Sequence, residues 1–152
     1  MTLKDFNWKT LIAIGLLAGL IQVATGVVMY VAGVYFASWS MLVSVLVLLL
    51  CIVLGTRWYR DSVQKGQISV GQALVAGIVI SICTGVIYAI YNVVSISFFY
   101  PRFLEDLIRI ARLPERVTAN TIALSNLIRL SVIGAILSFF ASLVLKRTAS
   151  SN

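Results

Sequence analysis

Four apolar runs fill most of the chain, at residues 11–36, 41–56, 70–99 and 122–145, and no Asp or Glu interrupts any of them. A bilayer core accepts a helix of about 20 mostly apolar residues. In that medium each backbone N–H and C=O must be bonded within the protein, which makes helices the natural element for runs of this kind. The second run is short alone but gains "YFASWS" before it. The expected fold is an all-α integral membrane protein: one transmembrane domain over 1–152, built as a four-helix bundle. Its spans are expected at about 10–36, 38–57, 69–99 and 119–145. The charge content agrees, since 11% of residues are charged where soluble domains carry about 25%. The first run is too long for the h-region of a cleavable signal, about 7–15 residues.

Four spans put both termini on the side of the loop between spans two and three. Lys4, Lys9, Arg57, Arg60, Lys65, Lys146 and Arg147 lie there, against Arg102, Arg109, Arg112 and Arg116 opposite. Lys and Arg are retained in the cytoplasm, so both termini are expected there, in a multi-pass protein of the bacterial inner membrane. Trp8, Trp39, Trp58, Tyr59 and Tyr100 fall near span ends, where such rings anchor at the interface. The net charge of +7 is scattered over these ends, a topology pattern rather than a nucleic-acid surface.

Lipid tails are as apolar as Leu, so membrane helices associate largely by close approach at small residues. Span three carries Ala73, Gly77, Ser81, Gly85 and Ala89 at steps of four. Span one has the pair Gly15 and Gly19, then Gly26 and Gly33 at steps of seven, and span four has Gly134, Ser138 and Ser142. These faces are expected to pack the bundle; the alternative is a groove for a lipid chain or a partner's helix.

Polar residues at membrane depth are costly and often functional. Gln22, Asn92, Asn126 and Arg129 are of this kind. Gln22 most simply bonds a neighbouring helix. Arg129, with Ser125 one turn before it and Asn126 alongside, either snorkels to the interface or binds a lipid phosphate through its bidentate fork. Missing intramembrane acids count against a proton-coupled pump. Between spans three and four, "PRFLEDLIRIARLPERVTANT" reads as a short interfacial amphipathic helix over about 101–113, or a solvated cap over the bundle. Phe103, Leu104, Leu107, Ile108 and Ala111 form its apolar face, with Glu105 placed to pair with Arg109.

The stretch "RWYRDSVQKGQISVGQALVAG" gathers Arg57, Arg60, Asp61, Gly66, Ser69 and Gln72. It lacks the GxxxxGK[ST] of a phosphate loop, and Asp61 is its only carboxylate. The chain has no His, so a Ser-His-Asp triad is impossible. A Lys65–Ser69 dyad lacks an evident oxyanion hole. The simpler reading is a connection: span two ends at headgroups, Gly66 makes a left-handed turn, and Ser69 caps span three. Cys51 and Cys83 sit inside apolar runs without His or CxxC, so neither a metal nor another cofactor is expected.

Arg57, Tyr59, Arg60, Asp61, Gly66, Ile68, Ser69, Gly71 and Ala73, then Tyr88, Tyr91, Pro101, Phe103 and Leu104, follow a pattern that resembles the bacterial domain of unknown function 4199 family. The opening Trp8-Lys9 and the late "GAILSFFASLVLKR" fit as well, so the resemblance covers nearly the whole chain. It implies a small four-span membrane protein and, by association, a place beside a membrane glycosyltransferase. The leading expectation is a non-enzymatic accessory or assembly protein in lipid-linked glycan or envelope metabolism. It would contact membrane lipids and another membrane protein or a second copy of itself, through a glycine face and the 57–72 loop. The alternative is a small oligomeric transporter or lipid flippase using Arg129. An enzyme would require Asp61, Lys65 or Ser69.

Overall fold

The computed structural model describes residues 6–99, 101–111, 114 and 117–145. Expectations for Lys4, Tyr100, Arg112, Arg116, Lys146, Arg147 and the end of the amphipathic helix at 112–113 lie outside the described residues. Among those described, the fold is all helical: α1 (Trp8–Val31), α2 (Ser40–Ser62), α3 (Val70–Val94), α4 (Pro101–Ala111) and α5 (Ala119–Leu145). A π-helical turn, Ser95–Phe99, extends α3. Four helices, α1, α2, α3 with its extension, and α5, are long and apolar enough to cross a membrane. The chain is a multi-pass membrane protein.

Two boundaries differ from expectation, each for a local reason. The first span stops at Val31 because Gly33 takes φ +71°. Its N–H bonds Tyr30 O at 3.0 Å and the Val34 N–H bonds Met29 O at 3.0 Å, the paired bonds of a Schellman stop. Gly33 therefore belongs to a turn and not to a packing face, and nothing lies within 4 Å of where its Cβ would be. The second span continues past residue 57 to Ser62, so Arg57, Arg60 and Asp61 are helical.

The centre is α3, which packs most extensively on α5 and α1. Its small residues Gly77, Ser81 and Gly85 face α5, while toward α1 the glycines are those of α1. Gly77 faces Ser138 and Ser81 faces Gly134, so α3 and α5 approach reciprocally; a methyl at Gly85 would meet Leu127 at 2.9 Å. Toward α1, a methyl at Gly15 would lie 2.5 Å from Cys83 Cβ, one at Gly19 2.7 Å from Ile87 Cβ, and one at Gly26 3.2 Å from the Tyr88 hydroxyl. Ala73 is buried and Ala89 half-buried. The serines fit because their hydroxyls bond within their own helices: Ser81 to Gly77 O at 2.7 Å and Ser138 to Gly134 O at 2.6 Å, which satisfies them at apolar depth.

Helix α2 packs on this frame mainly through its middle and the end nearer the termini. Its buried residues run from Leu48, near mid-helix, through Ile52, Gly55, Thr56 and Tyr59 to Arg60. There Ile14 of α1 and Ile80 of α3 close on Gly55, and Ile52 packs against Gly77. Before Leu48 no residue of α2 is fully buried, and the space beside this end becomes the cavity described below. Over that end lies α4, with Phe103 buried against Tyr30, Tyr35 and Phe36 at ring distances of 5.5, 5.1 and 5.7 Å. Its ion pair is Arg109–Asp106 at 2.8 Å, which replaces the expected Glu105–Arg109 pair.

Candidate functional site

The charged connection at the end nearer the termini holds itself together. Ser69 and Gln72 form a reciprocal cap: Gln72 N–H donates to Ser69 Oγ at 3.2 Å, and Ser69 N–H donates to Gln72 Oε1 at 3.0 Å. Lys65 and Gly66 both take positive φ, 52° and 83°, and the Gly66 N–H returns to Arg60 O at 3.0 Å. Arg60 turns inward. Its guanidinium grips Asp61 at 2.7 and 3.2 Å and donates to Leu145 O, the last residue of α5, at 3.4 Å. Arg57 stays exposed, 3.9 Å from Asp61. Tyr59, expected as an interface anchor, is fully buried, and its hydroxyl accepts from Asn7 N–H at 3.0 Å. These side chains serve helix ends, and among the described residues no hydrogen bond joins Lys65 to Ser69.

At the other end, the divergence of α2 leaves a cavity of about 450 Å³. Its walls come from α1 (Gln22, Thr25, Gly26, Met29), the turn and start of α2 (Tyr35, Phe36, Ser40, Met41, Ser44), Tyr88 of α3, and Thr121, Ile122, Ser125, Asn126 and Arg129 of α5. Phe103, Leu107 and Val117 complete it on the α4 side. At ~30 Å³ per water that is room for roughly 15 molecules, within the usual size of a small-ligand pocket. The lining is polar for its depth. Gln22 Nε2 donates to Ser44 Oγ, the Tyr35 and Tyr88 hydroxyls stand 3.5 Å apart, and Gln22 Oε1 is buried without a partner.

Arg129 lies ten residues after Ala119, roughly 15 Å along the axis at 1.5 Å per residue. Helical side chains lean toward their N-terminus, here toward the cavity end of the bundle. Among the described residues nothing forms a hydrogen bond or ion pair with Arg129. Ser125 and Asn126 share its wall, so the structure brings together the three α5 residues singled out in the sequence. On the outer surface of α5 a shallow groove of about 660 Å³ runs over Leu124, Ile128, Val132 and Ile133, with Thr121, Ser125 and Arg129 common to groove and cavity. A guanidinium with an apolar track beside it has the amphipathic layout of a lipid.

Sequence reasoning missed Ser44, Tyr35, Tyr88 and Phe103 as lining residues. Tyr88 and Phe103 stand in the family-like pattern, and the lone amide of span one, Gln22, was the available signal for its wall. The chain belongs to the family described as "Protein of unknown function (DUF4199)", which matches residues 13–147. No curated protein and no solved structure matches the chain.

Proposed function

We propose that this is a non-enzymatic accessory protein of a bacterial inner membrane that holds a phosphate-bearing lipid at Arg129. One observation carries the reading: an exposed arginine that forms no hydrogen bond or ion pair among the described residues stands about three turns down a membrane helix, where a part-polar cavity meets the outer groove of α5. Guanidinium matches a phosphate bidentately, and an ion pair offsets much of the cost of a charge within a membrane span. Binding fits better than passage. Beyond the cavity, toward the termini, Leu48, Ile52 and Ile80 are each fully buried, packing that favours a holding site over a path across the bundle. In this role the protein presents lipid to a membrane partner, of the glycosyltransferase kind that the family resemblance suggests. The excess of Lys and Arg on the terminal side supports cytoplasmic termini; a reporter fused after Asn152 should be active in the cytoplasm, and activity only outside it would reverse the orientation.

A ligand that binds the folded state alone stabilises it by about 2.7 kcal/mol at a hundredfold excess over Kd. Adding an anionic phospholipid to delipidated protein should therefore raise the Tm of the wild type by several degrees and leave Arg129→Ala unmoved. An equal rise in both proteins would contradict the site.

A further inference from the structure

Resting on that reading, we propose that the ligand is a net-anionic lipid whose head continues past its phosphate as an uncharged polyol. The phosphate sits at Arg129, the head reaches toward Gln22 and Tyr88, and the hydrocarbon lies along the outer groove of α5. Charge is the first argument. Arg129 is the one ionised side chain among the described lining residues, so among these an ammonium head would find no carboxylate. Nor do the aromatic rings offer an open box for a quaternary cation, because Phe103 already fills the space between Tyr35 and Phe36.

Chemical matching is the second. Beyond Arg129 the polar lining is amide and hydroxyl: Gln22, Ser44, Tyr88 and Asn126 are among its members. Hydroxyls and amides both donate and accept, the complement of a polyol. Gln22 supplies an observation independent of the arginine. Its side chain is 2% exposed and its Oε1 lacks a partner while its Nε2 is held by Ser44. Buried acceptors are rarely left unpaired, and a ligand hydroxyl is a donor of the kind this oxygen lacks. Size is the third, since a phosphate alone leaves most of about 450 Å³ unfilled.

The test is a lipid titration of the purified full-length protein by native mass spectrometry. Phosphatidylglycerol, phosphatidic acid and phosphatidylethanolamine with identical acyl chains are compared on wild type, Gln22→Leu, Tyr88→Phe and Arg129→Ala. Wild type should bind phosphatidylglycerol about tenfold tighter than either other lipid, the discrimination of one well-made hydrogen bond, although phosphatidic acid carries more charge on its phosphate. Gln22→Leu and Tyr88→Phe should lower phosphatidylglycerol to the level of phosphatidic acid while keeping the latter. Arg129→Ala should weaken both. If wild type binds all three alike, or neither polar variant shifts the preference, the polyol assignment is overturned while the Arg129 reading stands. If Arg129→Ala binds as wild type does, that reading itself fails. Deacylated glycerophosphoglycerol should not compete at concentrations that saturate the lipid; full competition would make the ligand a soluble phosphate and overturn the lipid assignment.

Discussion

Glycine does two different jobs in this chain, and single substitutions separate them. At Gly77 and Gly134 the facing group is a serine of the partner helix, and a methyl would collide with it. Gly77→Ala should cost about 1–3 kcal/mol, the range for overpacking a filled interior. At Gly33 there is free space and a left-handed backbone, so the cost of a side chain comes from φ alone. Gly33→Asn should then be nearly neutral, since Asn visits that region readily, whereas Gly77→Asn should be severe. Unfolding midpoints in mild detergent check the order, and equal losses at both positions would refute the distinction. The sequence held half of this. Steps of four identify the close-approach positions of α3, but the seven-residue step from Gly26 to Gly33 cannot reveal that the helix has ended between them.

At the end of α2, two arginines three positions apart have opposite roles. Arg60 lies on the buried stripe of α2 with Ile52 and Thr56, four residues per step, and reaches the last carbonyl of α5. Arg57 points outward. Replacing Arg60 with Ala leaves the buried Leu145 carbonyl without its charged donor and removes one of the two arginines at Asp61, and should cost about 1.5–3 kcal/mol. Arg57→Ala should stay within about 0.5 kcal/mol. Thermal scans of the two variants decide this, and the reverse order would contradict the inward role. The periodicity was readable; what hid Arg60 was the expectation that any arginine at a span end belongs to headgroups. Helix α4 rests on Phe103 in the same way. Phe103→Ala should raise amide exchange throughout 101–111 by about a hundredfold, the equivalent of roughly 2.7 kcal/mol of lost local packing. Exchange in the α1–α3 core should not change. A variant in which α4 stays as protected as in the wild type would show that the aromatic contacts do not hold it down.

The whole molecule is packed unevenly, and that unevenness is its site. Toward the termini α2 lies against α1 and α3 with isoleucines meeting across Gly55; toward the other end it is less buried and walls a part-polar cavity. Bilayer thickness fixes the length of a span, so the four crossings were legible from hydropathy. The path of α2 was not, because its exposed and half-buried leucines look alike in sequence whether they face lipid or neighbours. Arg129 was visible as an anomaly, but its surroundings depend on Gln22, Ser44 and Tyr88 arriving from three other helices. The central claim is that this arginine holds a lipid phosphate. The most direct measurement is native mass spectrometry of the protein extracted gently from its native membrane, comparing wild type with Arg129→Ala and Arg129→Lys. A defined phosphate-bearing lipid should accompany the wild type, be retained in part by the lysine variant, which keeps the charge but not the fork, and be lost from the alanine variant while the fold persists. The same lipid on all three proteins in equal amount would contradict the account.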